Sequence, residues 1–360
     1  MHAVDQILHR HINEQDMPSV QYYIFSMDQL IHHFSEGFAD IKNKKPTHAR
    51  ITYHAFSVTK TFTALAVMQL VEKKMLQLED AVKKYLPEFP YDPAINVKQL
   101  LTHSAGIPNP IPLKWIHLVE EHGAFNRDSF FNQVFAKNKQ TQFKPNEKFA
   151  YSNLGYILLG QLIEKISGLS YEQYITDNII NKAGLGDKLG FTIGNISEHA
   201  KGYHKRLTFS NLLLGFLINK SKFMGKPEGK WVPFNHYYVN GVSYGGLIGT
   251  PDAFVKYLQA LLKPDGLLIS DDLKQLLFTE NYSRNGNATG MCLSWYCGQL
   301  KGEKFYCHAG GGGGYYCELR LYPGAGIGSV VMLNRTGMTD VRFLDKLDTY
   351  FIDQKKTGSG

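Results

Sequence analysis

Phe56-Ser57-Val58-Thr59-Lys60-Thr61-Phe62-Thr63-Ala64-Leu65-Ala66-Val67-Met68-Gln69-Leu70-Val71-Glu72 is the stretch on which the fold turns. From Ala64 to Val71 it is apolar almost all round, so a helix formed here belongs in the middle of a core rather than on its surface. Ser57 and Lys60 stand at its start, and their spacing of three puts both side chains on one face. A lysine inside apolar helix loses hydration, which disfavours the charged form and pushes it toward acting as a base. A readily deprotonated amine beside a hydroxyl takes its proton and activates the nucleophile. Free backbone N–H groups at a helix start are also available to an oxyanion. The plainer alternative is a serine cap with Lys60 reaching out to solvent.

Upstream, Val4, Ile7, Leu8 and Ile12 recur at helical spacing, and Val20 to Phe25 and Leu30 to Phe34 flank a Met27-Asp28-Gln29 turn. This predicts a helix followed by a hairpin. Downstream, residues 97–233 are helical and loop-rich, with Pro108, Pro110 and Pro112 in one loop and a helix from Tyr156 to Ile166 closed by Gly168. Past Gly245-Gly246 a helix starts at Pro251 and runs to about Leu262. Met291 to Cys297, Lys304 to His308, Tyr315 to Tyr322 and Ile327 to Leu333 then read as an antiparallel meander, and a helix from about Asp340 to Phe351 ends the pattern. The expected fold is α/β in the α+β sense, an antiparallel sheet flanked by helices. Residues 1–96 and 236–356 form the α/β domain from both termini, and 97–235 an inserted all-α domain.

Composition limits the function. With 360 residues, 43% apolar and 20% charged, the chain has material for a large core. The net charge of +7 comes from 39 basic residues nearly matched by 32 acidic ones, so no nucleic-acid partner is expected. One segment departs from that balance. In 201–230, Lys201, Lys205, Arg206, Lys220, Lys222, Lys226 and Lys230 face only Glu228 and enclose the apolar run Leu212 to Ile218. Its readings are a basic exposed loop with one buried turn, or membrane-surface contact. No apolar run reaches the ~18 residues of a membrane span, and Arg10, Glu14 and Asp16 interrupt the N-terminal stretch where a secretory signal would be apolar. A cytoplasmic location is the expectation, and Thr357-Gly358-Ser359-Gly360 reads as linker. Cys292, Cys297, Cys307 and Cys317 lack paired Cys-x-x-Cys spacing and read as reduced core residues, so no metal and no cofactor are expected.

Two further elements carry candidate chemistry. Tyr151-Ser152-Asn153 precedes the helix Tyr156 to Ile166, projecting a phenol and an amide from an anchored loop. A tyrosine near a lysine can share the base role, since an ammonium favours phenolate, and Asn153 both donates and accepts hydrogen bonds. His308-Ala309-Gly310 runs into Gly311 to Gly314 at a strand end. Glycines there let a substrate approach the backbone, Gly311 N–H is placed to complete an oxyanion hole, and His308 lines the cleft.

Together, Ser57-x-x-Lys60, Tyr151-x-Asn153 and His308-x-Gly310 resemble, in order and separation, the serine β-lactamase and penicillin-binding-protein-like superfamily, in the class C branch that includes family VIII carboxylesterases. Leu100-Leu101-Thr102-His103-Ser104-Ala105-Gly106-Ile107-Pro108, Gly245 to Pro251 and Val331-Met332-Leu333-Asn334 are similar too, and the resemblance covers nearly the whole chain. It implies the β-lactamase/transpeptidase-like fold, with Ser57 as acylated nucleophile and Lys60 with Tyr151 as general acid and base. Asn153 then orients substrate and Lys60, and the N–H groups of Ser57 and Gly311 form the oxyanion hole.

One departure bears on substrate. Many members carry Lys-Thr-Gly where this chain has His308-Ala309-Gly310, so the charge that holds a substrate carboxylate is missing. At an ordinary imidazole pKa of ~6.5, His308 is expected to be mostly neutral near pH 7 and charged toward pH 6. The reading is a serine hydrolase of small-acyl esters; β-lactam or D-amino-acid peptide and amide hydrolysis is an alternative, as is a penicillin-binding sensor or scaffold. The sequence leaves the oligomeric state open. A rival nucleophile lies in Gly241-Val242-Ser243-Tyr244-Gly245, which matches Gly-x-Ser-x-Gly. That elbow needs a strand directly before and a helix directly after, and neither is expected around Ser243. Ser104 beside His103 reads as a turn at the domain junction.

Overall fold

The computed structural model describes residues 3–14, 16–208, 219–264, 266–336, 338 and 342–357. The apolar run Leu212 to Ile218 at the centre of the 201–230 segment lies outside the described residues, as does the expected helix start at Asp340.

Helix α1 (Ala3–Asn13) leads into the hairpin β1 (Ser19–Ser26) and β2 (Leu30–Asp40), with a short β3 (Lys45–Pro46). Then come the central helix α2 (Thr59–Glu72), α3 (Asn153–Ser167) and α4 (Pro251–Leu262). The late strands are β4 (Tyr296–Leu300), β5 (Glu303–Gly312), β6 (Tyr315–Tyr322) and β7 (Ile327–Leu333), and the last helix is α5 (Leu344–Thr357). Among the described residues seven strands form one antiparallel sheet in the order β4-β5-β6-β7-β1-β2-β3, so the two ends of the chain meet at the β7–β1 pairing.

Strand period explains the layering. Successive side chains point to opposite faces, and in β1 Val20, Tyr22 and Ile24 enter a core with Val4 and Leu8 of α1 and Leu347 and Phe351 of α5. Tyr23 and Phe25 enter the other core with Phe62 of α2 and Tyr257 of α4. The sheet is therefore covered on both faces, and β1 is buried along nearly its whole length. α2 lies behind the second face with every residue from Thr59 to Leu70 buried, as its all-round apolar surface requires.

Several boundaries differ from the sequence reading: β2 runs to Asp40 rather than Phe34 and α5 to Thr357 rather than Phe351, and three others have a local reason. β4 starts at Tyr296 rather than Met291, because Cys292 N–H donates to Trp295 O (2.7 Å) in a tight turn with Ser294 at φ 74°. α3 starts at Asn153 rather than Tyr156, because the Ser152 hydroxyl caps it by accepting from Gly155 N–H (3.1 Å). Gly168, at φ 73°, ends it as expected. β5 runs on to Gly312, so the glycine run is mostly strand, turning only at Gly313-Gly314. The 97–235 region is mainly helix and loop but not all-α: Ile116–Leu118 runs antiparallel to Tyr237–Val239, Tyr203–Lys205 to Trp231–Pro233, and Leu189–Gly190 to Ile248–Gly249, so two of its strands pair with residues beyond 235. The four cysteines are free thiols.

β4 accompanies β5 only as far as the Tyr296–Cys307 pair, so from His308 to Gly312 the outer edge of β5 has no strand partner among the described residues. A charge network fixes β6 from behind. Arg320 donates to Glu318 (2.8 Å) and Asp345 (2.6 Å), while the Asp348 carboxylate accepts from Tyr22 (2.9 Å), Tyr322 (2.9 Å) and Ser329 (2.6 Å). Burial raises the carboxyls of Glu318 and Asp348, and Arg320 opposes it. Removing Arg320 leaves two buried carboxylates without their cation, so Arg320→Met is expected to lose about 3–5 kcal/mol of stability near neutral pH. An acid with a raised folded pKa takes up its proton in the fold first, so the deficit fades as pH falls. Thermal unfolding of both proteins at about pH 8 and pH 5 checks this, with the gap in melting temperature expected to narrow toward acid.

Candidate active site

Ser57 sits in a 3₁₀ turn, Phe56–Val58, that opens directly into α2. Phe56 has φ 46°, a left-handed conformation that a bulky residue adopts only when its surroundings impose it. The neighbour that imposes it is β5. A Cβ built on Gly310 would lie 2.1 Å from Ala55 O and 2.7 Å from Ser57 N, and one on Gly312 would lie 2.8 Å from the Phe56 ring. Only glycine lets the strand come this close, so the backbone of Gly310 touches the backbone of the serine turn.

One turn into α2, Lys60 is 0% exposed. Its Nζ lies 4.8 Å from the Tyr151 ring centre, 5.1 Å from that of Tyr244 and 5.5 Å from that of Tyr156. It contacts Ser57 Oγ at 3.1 Å and donates to Tyr244 O at 2.8 Å. No carboxylate among the described residues offsets the lost hydration, so burial alone holds its pKa well below the ordinary lysine value. The alternative of a lysine reaching solvent is thereby overturned.

Tyr151, just before α3, donates from its hydroxyl to Ser57 Oγ at 2.7 Å. Its pKa is pushed well above the usual phenol range, chiefly by burial, with the neighbouring Tyr296 adding to the shift. This corrects the expectation that a nearby ammonium would favour phenolate: desolvation dominates, and burial disfavours the phenolate of Tyr151 as it disfavours the ammonium of Lys60. Tyr151 O–H and Lys60 Nζ both donate to Ser57 Oγ, and Lys60 Nζ also donates to Tyr244 O; once Lys60 gives up a proton, its lone pair lies within reach of the serine hydrogen.

The remaining candidates are placed less simply. His308 does not line an open cleft; it is 0% exposed, with Nδ1 2.6 Å from Ser294 O. A carbonyl partner requires the proton on Nδ1 and leaves Nε2 an acceptor, which is buried without a partner. Burial, together with the nearby Lys60, lowers the ring's pKa to about 3, so the expected charging toward pH 6 does not occur. Asn153 does not reach Lys60 with a hydrogen bond: its N–H donates to Asn109 Oδ1 (3.0 Å), its own Oδ1 is unpartnered, and Tyr244 O occupies the lysine instead. Gly311 has room on its side-chain face, where a Cβ would first meet Tyr316 at 3.6 Å.

Ser243 has the local setting denied to it from sequence, a strand at Tyr237–Val239 and a helical turn at Val242–Gly245. The packing excludes it nonetheless. Ser243 is buried, its hydroxyl lies where a Cβ on Gly160 of α3 would fall (2.5 Å), and its carbonyl accepts from Thr63 Oγ1. Ser104 donates to Asn146 Oδ1 (2.9 Å) in a turn. The residue missed from sequence is Tyr244, which acts through its backbone carbonyl, a group carried by every residue type.

Comparisons with known proteins agree with this architecture. A family model described as Beta-lactamase matches residues 4–349. Penicillin-binding protein 4* of Bacillus subtilis (strain 168) is 29% identical over 301 residues, covering 81% of this chain and 63% of that protein. The chain thus spans less than two thirds of the length of that relative. Protein flp of Staphylococcus aureus (strain N315) is 24% identical over 364 residues, 98% of this chain and 67% of the relative. Among solved structures, the octameric penicillin-binding protein homologue from Pyrococcus abyssi superposes with TM-score 0.77 at 24% identity, over 99% of this chain and 77% of that one. D-amino acid amidase from Ochrobactrum anthropi SV3 gives 0.78 at 17%, over 99% and 100%. These likenesses show the shared fold.

Two measurements check the geometry. Gly310→Ala drives a methyl into Ala55 O and should lose about 2–3 kcal/mol of stability and at least about 10²-fold in rate, whereas Gly311→Ala should fold and react nearly as the parent. Replacing the buried amine by a thioether, Lys60→Met, should abolish reaction at Ser57 yet raise stability by about 1–2 kcal/mol, as removal of a functional strain does. Thermal unfolding and serine labelling of the three variants read both effects.

Proposed function

The chain belongs to the Beta-lactamase family, and from that premise we propose that it is a serine hydrolase that forms an acyl-enzyme at Ser57 and prefers uncharged esters of small acyl groups. The observation that carries the proposal is the convergence of a fully buried lysine amine and the Tyr151 phenol on one serine oxygen. Lys60 accepts the Ser57 proton as Oγ attacks the ester carbonyl. The N–H groups of Ser57 and Gly311 receive the oxyanion, a role supported by the contact between the serine turn and Gly310. Tyr151 gives its proton to the departing alkoxide and regains one from the Lys60 ammonium. Water then repeats the sequence: it loses a proton to the base, attacks the acyl carbonyl, and frees the acid while Ser57 recovers its hydrogen. Asn153, with an unpartnered Oδ1, is the group of this site assigned to orient substrate.

His308 supports the choice of substrate. A buried ring whose pKa is lowered to about 3 supplies no cation where Lys-Thr-Gly relatives have one, and Lys60 is neutral when it acts. A carboxylate-bearing β-lactam therefore finds no fixed positive partner in the third motif. A nitrophenyl short-acyl ester should be turned over at least ~10²-fold better in kcat/KM than a chromogenic cephalosporin, a gap of about 2.7 kcal/mol in the transition state. Because His308 stays neutral, that ratio should not change between about pH 6 and pH 8. Efficient cephalosporin turnover would make the protein a β-lactamase, and faster turnover of D-amino-acid amides or peptides an amidase or peptidase. A fluorophosphonate that labels Ser57 with no turnover of any of these would indicate a sensor, and no labelling at all a scaffold.

A further inference from the structure

His103 belongs to none of the steps above, yet it touches the chain on both sides of Tyr151. Ala150 N–H donates to His103 O (2.8 Å), and Ser152 N–H donates to His103 Nδ1 (3.1 Å). The peptide N–H groups flanking Tyr151 are therefore both held by one residue. The imidazole also packs on the phenol it brackets, with ring centres 4.4 Å apart and planes at 36°, and on Tyr156 at 4.9 Å. Tyr156 is in turn fixed by donating to Leu101 O (2.9 Å).

A backbone acceptor and a side-chain acceptor of one residue face the same neighbouring loop segment here, and His103 has φ 54°, in the left-handed region. Histidine enters that region more readily than most residues, and the two hydrogen bonds to residues 150 and 152 hold it there. The ring is buried, and its second nitrogen, Nε2, has no partner among the described residues. Because Nδ1 accepts an N–H, the ring proton sits on Nε2, so this tautomer is fixed by the bond to Ser152.

We propose that His103 is a positioning residue that sets the Tyr151 hydroxyl against Ser57 by clamping the two peptide N–H groups beside it. This rests on the assignment of Tyr151 as proton donor in the proposed function. Asparagine tolerates the left-handed backbone and carries an acceptor oxygen where histidine has Nδ1, whereas phenylalanine keeps the ring and loses the acceptor.

The test is kcat and KM for a nitrophenyl ester with His103→Phe, His103→Asn, Tyr151→Phe and the double variant His103→Phe/Tyr151→Phe. His103→Phe should lower kcat about tenfold or more with KM within about twofold, the signature of a misplaced catalytic group. His103→Asn should recover the rate to within about threefold of the parent despite losing more packing. In the Tyr151→Phe background His103→Phe should cost nothing further, since the two act as a unit. Equal losses from His103→Phe in both backgrounds, or a lower kcat for His103→Asn than for His103→Phe, would overturn the proposal. If His103→Phe does not fold, His103→Asn alone decides: a loss of about tenfold or more overturns it and a near-parental rate supports it. Full activity in Tyr151→Phe would instead refute the catalytic reading of Tyr151, a result separate from any effect at His103.

Discussion

The site depends on burying an amine that no carboxylate among the described residues offsets. Lys60 lies among three tyrosine rings, contacts Ser57 and a backbone carbonyl, and takes its depressed pKa from lost hydration alone. A paired lysine would hold its proton and be of no use as a base. The apolar circumference of α2 thus has two consequences: it places the helix in the core and withholds water from Lys60. The same desolvation keeps the proton on Tyr151, and one environment therefore drives a base and an acid in opposite directions around a single oxygen.

The second constraint is steric. The serine turn is pressed against a strand of glycines closely enough that a methyl at position 310 would collide with Ala55 O. That contact pins the left-handed Phe56 and the nucleophile together, and it ties the helix to the sheet formed by both ends of the chain. Behind β6, the Arg320 network with Glu318, Asp345 and Asp348 anchors the last helix to the same sheet. The position of Ser57 therefore rests on contacts contributed by residues from both termini.

Much of this is legible in the sequence, for physical reasons. The apolar run Ala64 to Val71 has no polar face, so it reads as a central helix, and the late strands are punctuated by turn residues that reveal a meander. Ser57, Lys60 and Tyr151 stand on motifs whose residue types state their chemistry. What the sequence does not reveal depends on tertiary packing. The Ser294 turn and the cover of Tyr296 bury His308, which nothing beside it in the chain reveals. The glycine run became strand because Phe56 and Ser57 lie against it. Tyr244 holds Lys60 through a carbonyl, and Asn153 lost that role to it. Around Ser243 the strand and helical turn do form, and only the contact with Gly160 shows that the hydroxyl faces the core.

The central claim is that Lys60 is an uncharged amine in the resting protein. Nitrogen NMR of protein labelled at the lysine side chain, with Lys60 assigned by its absence from Lys60→Met, measures this directly. The account predicts a Lys60 Nζ resonance of a neutral amine at about pH 7–8, where every ordinary lysine is an ammonium. An ammonium resonance for Lys60 that persists to about pH 10 would contradict it and move the base elsewhere in the site.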